Sequence, residues 1–114
     1  MKHLIKTPNV LEDGMHVGTI TRVVPRTTPQ NYKYIDIFVK PDNTESEIPY
    51  STPDNVSVNS KLGKVFEQVQ KLIPGEEFDD ILLIGKKVSF MTIQEKTDKG
   101  IFSRILDNTL KIVN

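Results

Sequence analysis

The segment Tyr32–Lys40 alternates without interruption between two kinds of side chain. Ile35, Ile37 and Val39 occupy one parity; Tyr32, Tyr34, Asp36, Phe38 and Lys40 occupy the other. Successive side chains leave a strand on opposite faces, so this pattern calls for an extended segment with one face in a core. Lys86–Glu95 repeats the pattern, with Val88, Phe90 and Thr92 opposing Ser89, Met91 and Ile93. Ile101–Leu106 sets Ile101, Ser103 and Ile105 against Phe102, Arg104 and Leu106. Met15–Val24 is rich in Val, Ile and Thr, whose branched Cβ atoms suit a strand better than a helix. A chain of 114 residues patterned in this way is expected to form one domain of short antiparallel strands.

Turn residues punctuate these segments. Glu12-Asp13-Gly14 leads into the first strand, and Pro25–Asn31 is expected to be the exposed loop that closes it. Pro41-Asp42-Asn43 turns the chain into a hairpin partner, Thr44–Ser51, where Pro49 suggests a short or edge strand. Lys96–Gly100 is the loop of a later hairpin. Between them, Leu62, Val65, Phe66, Val69, Leu72 and Ile73 form one apolar stripe at helical spacing. The spacing predicts a helix over Lys61–Leu72, capped by Asn59 or Ser60 and stopped by Pro74-Gly75. A short helical turn is expected over Phe78–Ile84, with Asp79-Asp80 at its start and Gly85 at its end. Leu110–Val113 can add a last extended piece, while 1–12 and 108–114 are the stretches expected to be loose.

The order is therefore β-β-β-α-β-β, an all-β chain with one helix. That string matches the five-stranded barrel of the oligonucleotide/oligosaccharide-binding fold, the OB-fold. Other small barrels and open α+β sheets share it.

Several chemistries are absent from the sequence. Without cysteine there is no disulfide, thiolate zinc site or thiol nucleophile. His3 and His16 have no ligand partners at metal-binding spacing, so His16 is expected to be an ordinary strand residue. Glu76, Glu77, Asp79 and Asp80 lack the alternation of a calcium loop and suit the start of a helical turn. The glycines form no phosphate-cradling loop, and no serine stands in a nucleophile elbow. Neither catalysis nor a cofactor is expected. No apolar run reaches the length of a membrane span, and Met1-Lys2-His3-Leu4-Ile5-Lys6 lacks a signal-peptide core, so a cytoplasmic protein is expected.

Charge is more informative. The chain is formally neutral, but residues 1–40 and 81–114 each carry +3 while residues 41–80 carry −6. Convergence of the two basic thirds would make a basic face hidden by the net charge; an ordinary mixed surface is the alternative. On an OB barrel, ligands lie across strands 2 and 3, between the loops joining strands 1–2 and 4–5. Arg22 and Arg26 come from the first strand and its loop, Lys96 and Lys99 from the last hairpin, and Tyr32, Tyr34 and Phe38 from strand 2. Phe102 and Arg104 are alternate residues of strand 5. Cations for phosphates and aromatic faces for bases are what single-stranded nucleic acid requires. A one-residue slip of strand 2 would exchange its faces and bury the aromatics instead. Asp36 and Glu47 oppose a phosphate-binding face.

Four segments carry a resemblance to a known family: Asp13–Ile20, Asn59–Lys64, Ile84–Phe90 and Glu95–Ile105. Across most of residues 13–107 the chain resembles small OB-fold proteins of phages and prophages. Those are similar to single-stranded-DNA-binding accessory proteins of replication and recombination. The resemblance implies a non-catalytic DNA-binding role, with Phe102 and Arg104 matching an aromatic-x-basic pair and Lys96 and Lys99 a basic loop. It favours DNA over RNA, without a membrane partner. A protein-interaction or homo-oligomerisation module on the same fold is the alternative.

Overall fold

A computed structural model describes residues 1–3 and 11–113. Residues 4–10, within the N-terminal stretch expected to be loose, and Asn114 lie outside the described residues.

Six strands form one antiparallel sheet: β1 (Gly14–Thr27), β2 (Lys33–Pro41), β3 (Ile48–Pro53), β4 (Lys87–Thr97), β5 (Gly100–Ile105) and β6 (Lys111–Ile112). Their order is β3-β2-β1-β4-β5, and β6 pairs with β4 beside β5. The five strands expected from the sequence are thus joined by a sixth. β3 and β5, at the two ends of the order, approach within 8 Å between Cα atoms without a hydrogen-bonded ladder. Side chains bridge that seam. Lys61 Nζ donates to Ser51 O and to Asp107 Oδ1, both at 2.7 Å, and Asn108 N donates to the Tyr50 hydroxyl at 3.0 Å.

The face assignments hold. Ile37 and Val39 on β2, Ile48, Tyr50 and Thr52 on β3, and Val88, Phe90 and Thr92 on β4 point into one core with Ile20, Leu83 and Ile105. Strand boundaries move. β1 continues through Pro25 to Thr27, so the expected loop Pro25–Asn31 contracts to residues 28–32. Pro25 is tolerated because β4 pairs only with Gly14–Thr19, which leaves this part of β1 at an edge. β3 begins at Ile48 rather than Thr44 and runs on to Pro53.

The helix is shorter than its apolar stripe. α1 spans Lys61–Phe66, capped by the Ser60 hydroxyl, which accepts from Gly63 N at 2.9 Å. Beyond Phe66 the backbone bonds become mixed: Gln68 N donates to Val65 O and Val69 N to Phe66 O at i→i+3, and Gln70 N to Phe66 O at i→i+4. The stripe still packs: Leu62, Val65 and Phe66 are buried, and Val69 and Leu72 lie against the core. Gly63 is required by close approach, because a Cβ there would sit 1.7 Å from Ser57 O. The expected second turn is a 3-10 helix, Asp80–Leu83, capped by Asp79. It returns the chain to β1, where Gly85 N donates to Ile20 O and Ile20 N to Lys86 O.

Within the stretches 1–12 and 108–114, Leu11 and Leu110 pack into the core. Leu11 is buried, its N donates to Ser103 Oγ at 2.7 Å, and its carbonyl accepts from Gln94 Nε2. Leu110 is buried, and Gln68 grips its neighbours by donating to Leu110 O and accepting from Ile112 N. No described helix is long and apolar enough to cross a membrane.

Candidate nucleic-acid interface

A β-bulge builds the candidate face. β1 and β2 pair Ile20 with Val39, then Arg22 with Phe38, so Thr21 is an extra residue in β1. Ile20 points inward, and simple alternation would send Arg22, Val24 and Arg26 inward after it. The bulge inverts that parity. Val23 then turns toward the core, and Arg22 and Arg26 come out on the face that carries Tyr34 and Phe38.

The result is a lattice of three rows, each crossing β1, β2 and β3. Arg26, Tyr34 and Pro53 form one row, Val24, Asp36 and Ser51 the next, and Arg22, Phe38 and Pro49 the third. Each arginine lies on a ring: the Arg22 guanidinium is 3.8 Å from the Phe38 centroid and that of Arg26 is 4.8 Å from the Tyr34 centroid. Each also holds a carboxylate. Arg26 donates through Nε to Asp36 Oδ2 at 2.8 Å, and Arg22 donates through Nε to Glu47 Oε1 at 3.1 Å. Ser51 Oγ donates to Asp36 Oδ1 at 2.6 Å, and the Thr21 hydroxyl donates to Glu47.

These contacts set the charge states. Burial pushes the Asp36 carboxyl up, but the hydrogen bonds from Arg26 and Ser51 and the Arg26 charge outweigh it. Asp36 therefore ionises below the usual carboxylate range although its side chain is only 9% exposed. Glu47 is also lowered, chiefly by the Thr21 hydrogen bond and then by Arg22. The Asp36 hydrogen bond in turn holds Arg26 more firmly protonated. Asp36 is thus the clamp that orients Arg26 over Tyr34, rather than only a repulsive charge. Its alternation with Tyr34 and Phe38 is visible in the sequence; its pairing with Arg26 depends on the bulge.

The other expected residues divide between the loop and the last hairpin. Tyr32 lies just before β2 and is 64% exposed. It is held by a tight turn in which Tyr32 N donates to Thr28 Oγ1 and Thr28 N to Tyr32 O, with Asn31 at φ 69°. Lys96 is a correction to the expected loop, since β4 runs to Thr97 and only Asp98 and Lys99 form the turn. Lys96 pairs with Ile101, whereas Phe102 pairs with Glu95 and Arg104 with Ile93. Lys96 therefore stands on the opposite face of the hairpin from Phe102 and Arg104. Phe102 is 51% exposed and outside the core, and Arg104 donates to Glu95 at 2.6 Å. All three arginines of the chain accordingly have a carboxylate partner. The remaining cations in this set, Lys96 and Lys99, form no ion pair among the described residues.

His16 Nε2 lies 2.6 Å from Glu12 O and its ring 6.1 Å from that of Phe90. No protein-family model matches the chain, and no curated protein matches its sequence.

Proposed function

We propose that this chain is an OB-type barrel that binds single-stranded nucleic acid, DNA in preference to RNA, without reading much sequence. The barrel reading is supported by the strand order, by the helix between β3 and β4, and by the approach of β3 to β5 bridged through Lys61 and Tyr50. The binding reading rests chiefly on one observation. Arg22 on Phe38 and Arg26 on Tyr34 present two preformed cation-aromatic units, two strand repeats apart with the Val24–Asp36 row between them, on a half-exposed sheet face.

Each unit can stack a base on its flat outer surface and bring a guanidinium to a phosphate. Asp36 and Glu47 hold the guanidinium planes in place beforehand, which lowers the ordering cost of binding. Phosphate must then compete with a carboxylate already in place, so the arginines contribute stacking more than net charge. Exposed Tyr32 extends the platform, and Lys96, Lys99, Phe102 and Arg104 supply a second set from the β4–β5 hairpin. The sequence resemblance extends the proposal to a non-catalytic role in phage or mobile-element replication and recombination, in the cytoplasm.

The carboxylate pairing of every arginine favours a second reading, a protein-interaction module on the same fold. Fluorescence anisotropy with labelled oligo-dT and with duplex DNA, each at two salt concentrations, separates the two. Binding of oligo-dT tighter than duplex, weakened by salt, is expected. No binding even at low salt rejects the nucleic-acid reading and leaves the interaction module.

A further inference from the structure

The acidic middle of the chain lines a groove that the nucleic-acid reading does not use. Val56, Val58, Leu72, Ile73 and Phe78 form its apolar wall around about 290 Å³. Phe78 is fixed there by stacking on Phe66, with ring centroids 4.1 Å apart, so the wall is anchored to the core. Val56, Val58 and Ile73 are nonetheless exposed to solvent. Glu76 and Glu77 stand on the groove's edge, exposed and without an ion pair among the described residues. An apolar cavity of about 150 Å³ accommodates benzene, so this groove has room for a large aliphatic side chain.

The same molecule carries a segment of complementary chemistry. The β4–β5 hairpin exposes Ile101 and Phe102 side by side in the chain, on opposite faces of its ribbon. Around them, Lys96 and Lys99 are cations without an ion pair among the described residues, while Arg104 and Glu95 neutralise one another. Asp98 subtracts one charge and leaves the tip with a net charge of +1. Among the described residues, no hydrogen bond or ion pair joins this hairpin to the groove within one chain.

We propose that the groove receives the β4–β5 hairpin of a second copy of this chain, with Ile101 against Val56, Val58 and Ile73, its same-face partner Lys96 and the turn residue Lys99 facing Glu76 and Glu77. Because groove and hairpin are different surfaces, the contact is head-to-tail. Such contacts run on into a filament or close into a ring according to the rotation between copies, and in either case association grows with concentration. The proposal does not depend on nucleic-acid binding and is tested without nucleic acid.

Light scattering after size exclusion, across a concentration series at low salt, reads the outcome. The wild-type mass is expected to rise above the 13.0 kDa monomer with concentration and to fall back toward it in high salt. The double variants Glu76→Lys/Glu77→Lys and Lys96→Glu/Lys99→Glu alter exposed side chains and are each expected to remain monomeric alone. Mixed in equal amounts they should associate again, because each restores the charge its partner lacks. Circular dichroism melts of both variants check that the fold survives. A wild-type monomer at every concentration overturns the proposal and leaves the groove to a small apolar ligand or a foreign basic peptide. Association that neither variant disturbs overturns it as well, since the interface then lies elsewhere.

Discussion

Tyr34 and Gly63 show how differently single residues act in this chain. Tyr34 lies on the outer face of β2, with the Arg26 guanidinium above it and none of the core beneath its own parity. Tyr34→Ala is therefore expected to leave folding intact and weaken oligo-dT binding by about 1–3 kcal/mol, a loss that survives high salt. Wild-type affinity in that variant, measured by anisotropy, removes the outer face of β2 as the platform. Gly63 is a packing requirement. Alanine improves an exposed helix position over glycine by about 1 kcal/mol, but here the new methyl meets the Ser57 carbonyl at 1.7 Å. Overpacking of this kind costs about 1–3 kcal/mol, and more when the obstacle is backbone. The clash should win, so Gly63→Ala is expected to lower the urea midpoint; an unchanged midpoint shows that residues 57–60 move aside freely.

At the scale of elements, β1 and the β4–β5 hairpin divide the work of the candidate interface. β1 contributes arginines whose charge is already matched by Asp36 and Glu47. The hairpin contributes Lys96 and Lys99, whose charge is not. Salt dependence should therefore come mainly from the hairpin, at roughly −0.7 in log–log slope for each phosphate neutralised in single strands. Lys96→Ala/Lys99→Ala is expected to make the slope shallower by up to roughly 1.4, with the loss of affinity greatest at low salt. A slope that does not change assigns the phosphate contacts to other cations. The placement of Lys96 and Lys99 in this region follows from the Gly100 turn signal and is legible in the sequence. The opposite faces of Lys96 and Phe102 are not, because they depend on β4 continuing to Thr97 and on a two-residue turn. The shortened helix has a similar cause: an apolar stripe reports which residues pack inward, and Val69 and Leu72 do so from mixed turns as well as from an α-helix.

For the molecule as a whole, acid sensitivity should report the clamp at Asp36. Asp36, Glu47 and Asp107 all ionise more readily in the folded protein than an ordinary carboxyl does. Their folded pKa values lie below the unfolded ones, so the stability they add is complete above the unfolded pKa, about 4. It is lost as pH falls through the folded values, because the unfolded chain then binds more protons. Glu47 and Asp107 are 30% and 59% exposed, and water screens their share; Asp36 is the buried carboxylate of the three. Melting temperature is expected to be nearly level from pH 7 to pH 5 with respect to these groups and to fall below about pH 4. Asp36→Asn should melt lower at pH 7 and show a shallower acid limb. Equal acid limbs in variant and wild type place the titrating groups elsewhere.

What the sequence determined by itself is the set of strands and their inward faces, because alternation is a local property and apolar residues at one parity have a single way to leave water. Ile35, Ile37 and Val39 on β2, and Val88, Phe90 and Thr92 on β4, belong to that part. Tertiary structure alone decided which way Arg22 and Arg26 face. That outcome turns on one extra residue, Thr21, for which β1 has no opposite number in β2. A bulge arises from the fit of two strands and leaves no mark on the composition of either. With the parity inverted, the arginines leave the core, find Tyr34 and Phe38 across the strand, and take Asp36 and Glu47 as partners. The candidate interface therefore arises from a register shift between two neighbouring strands, which the alternation within either strand does not encode.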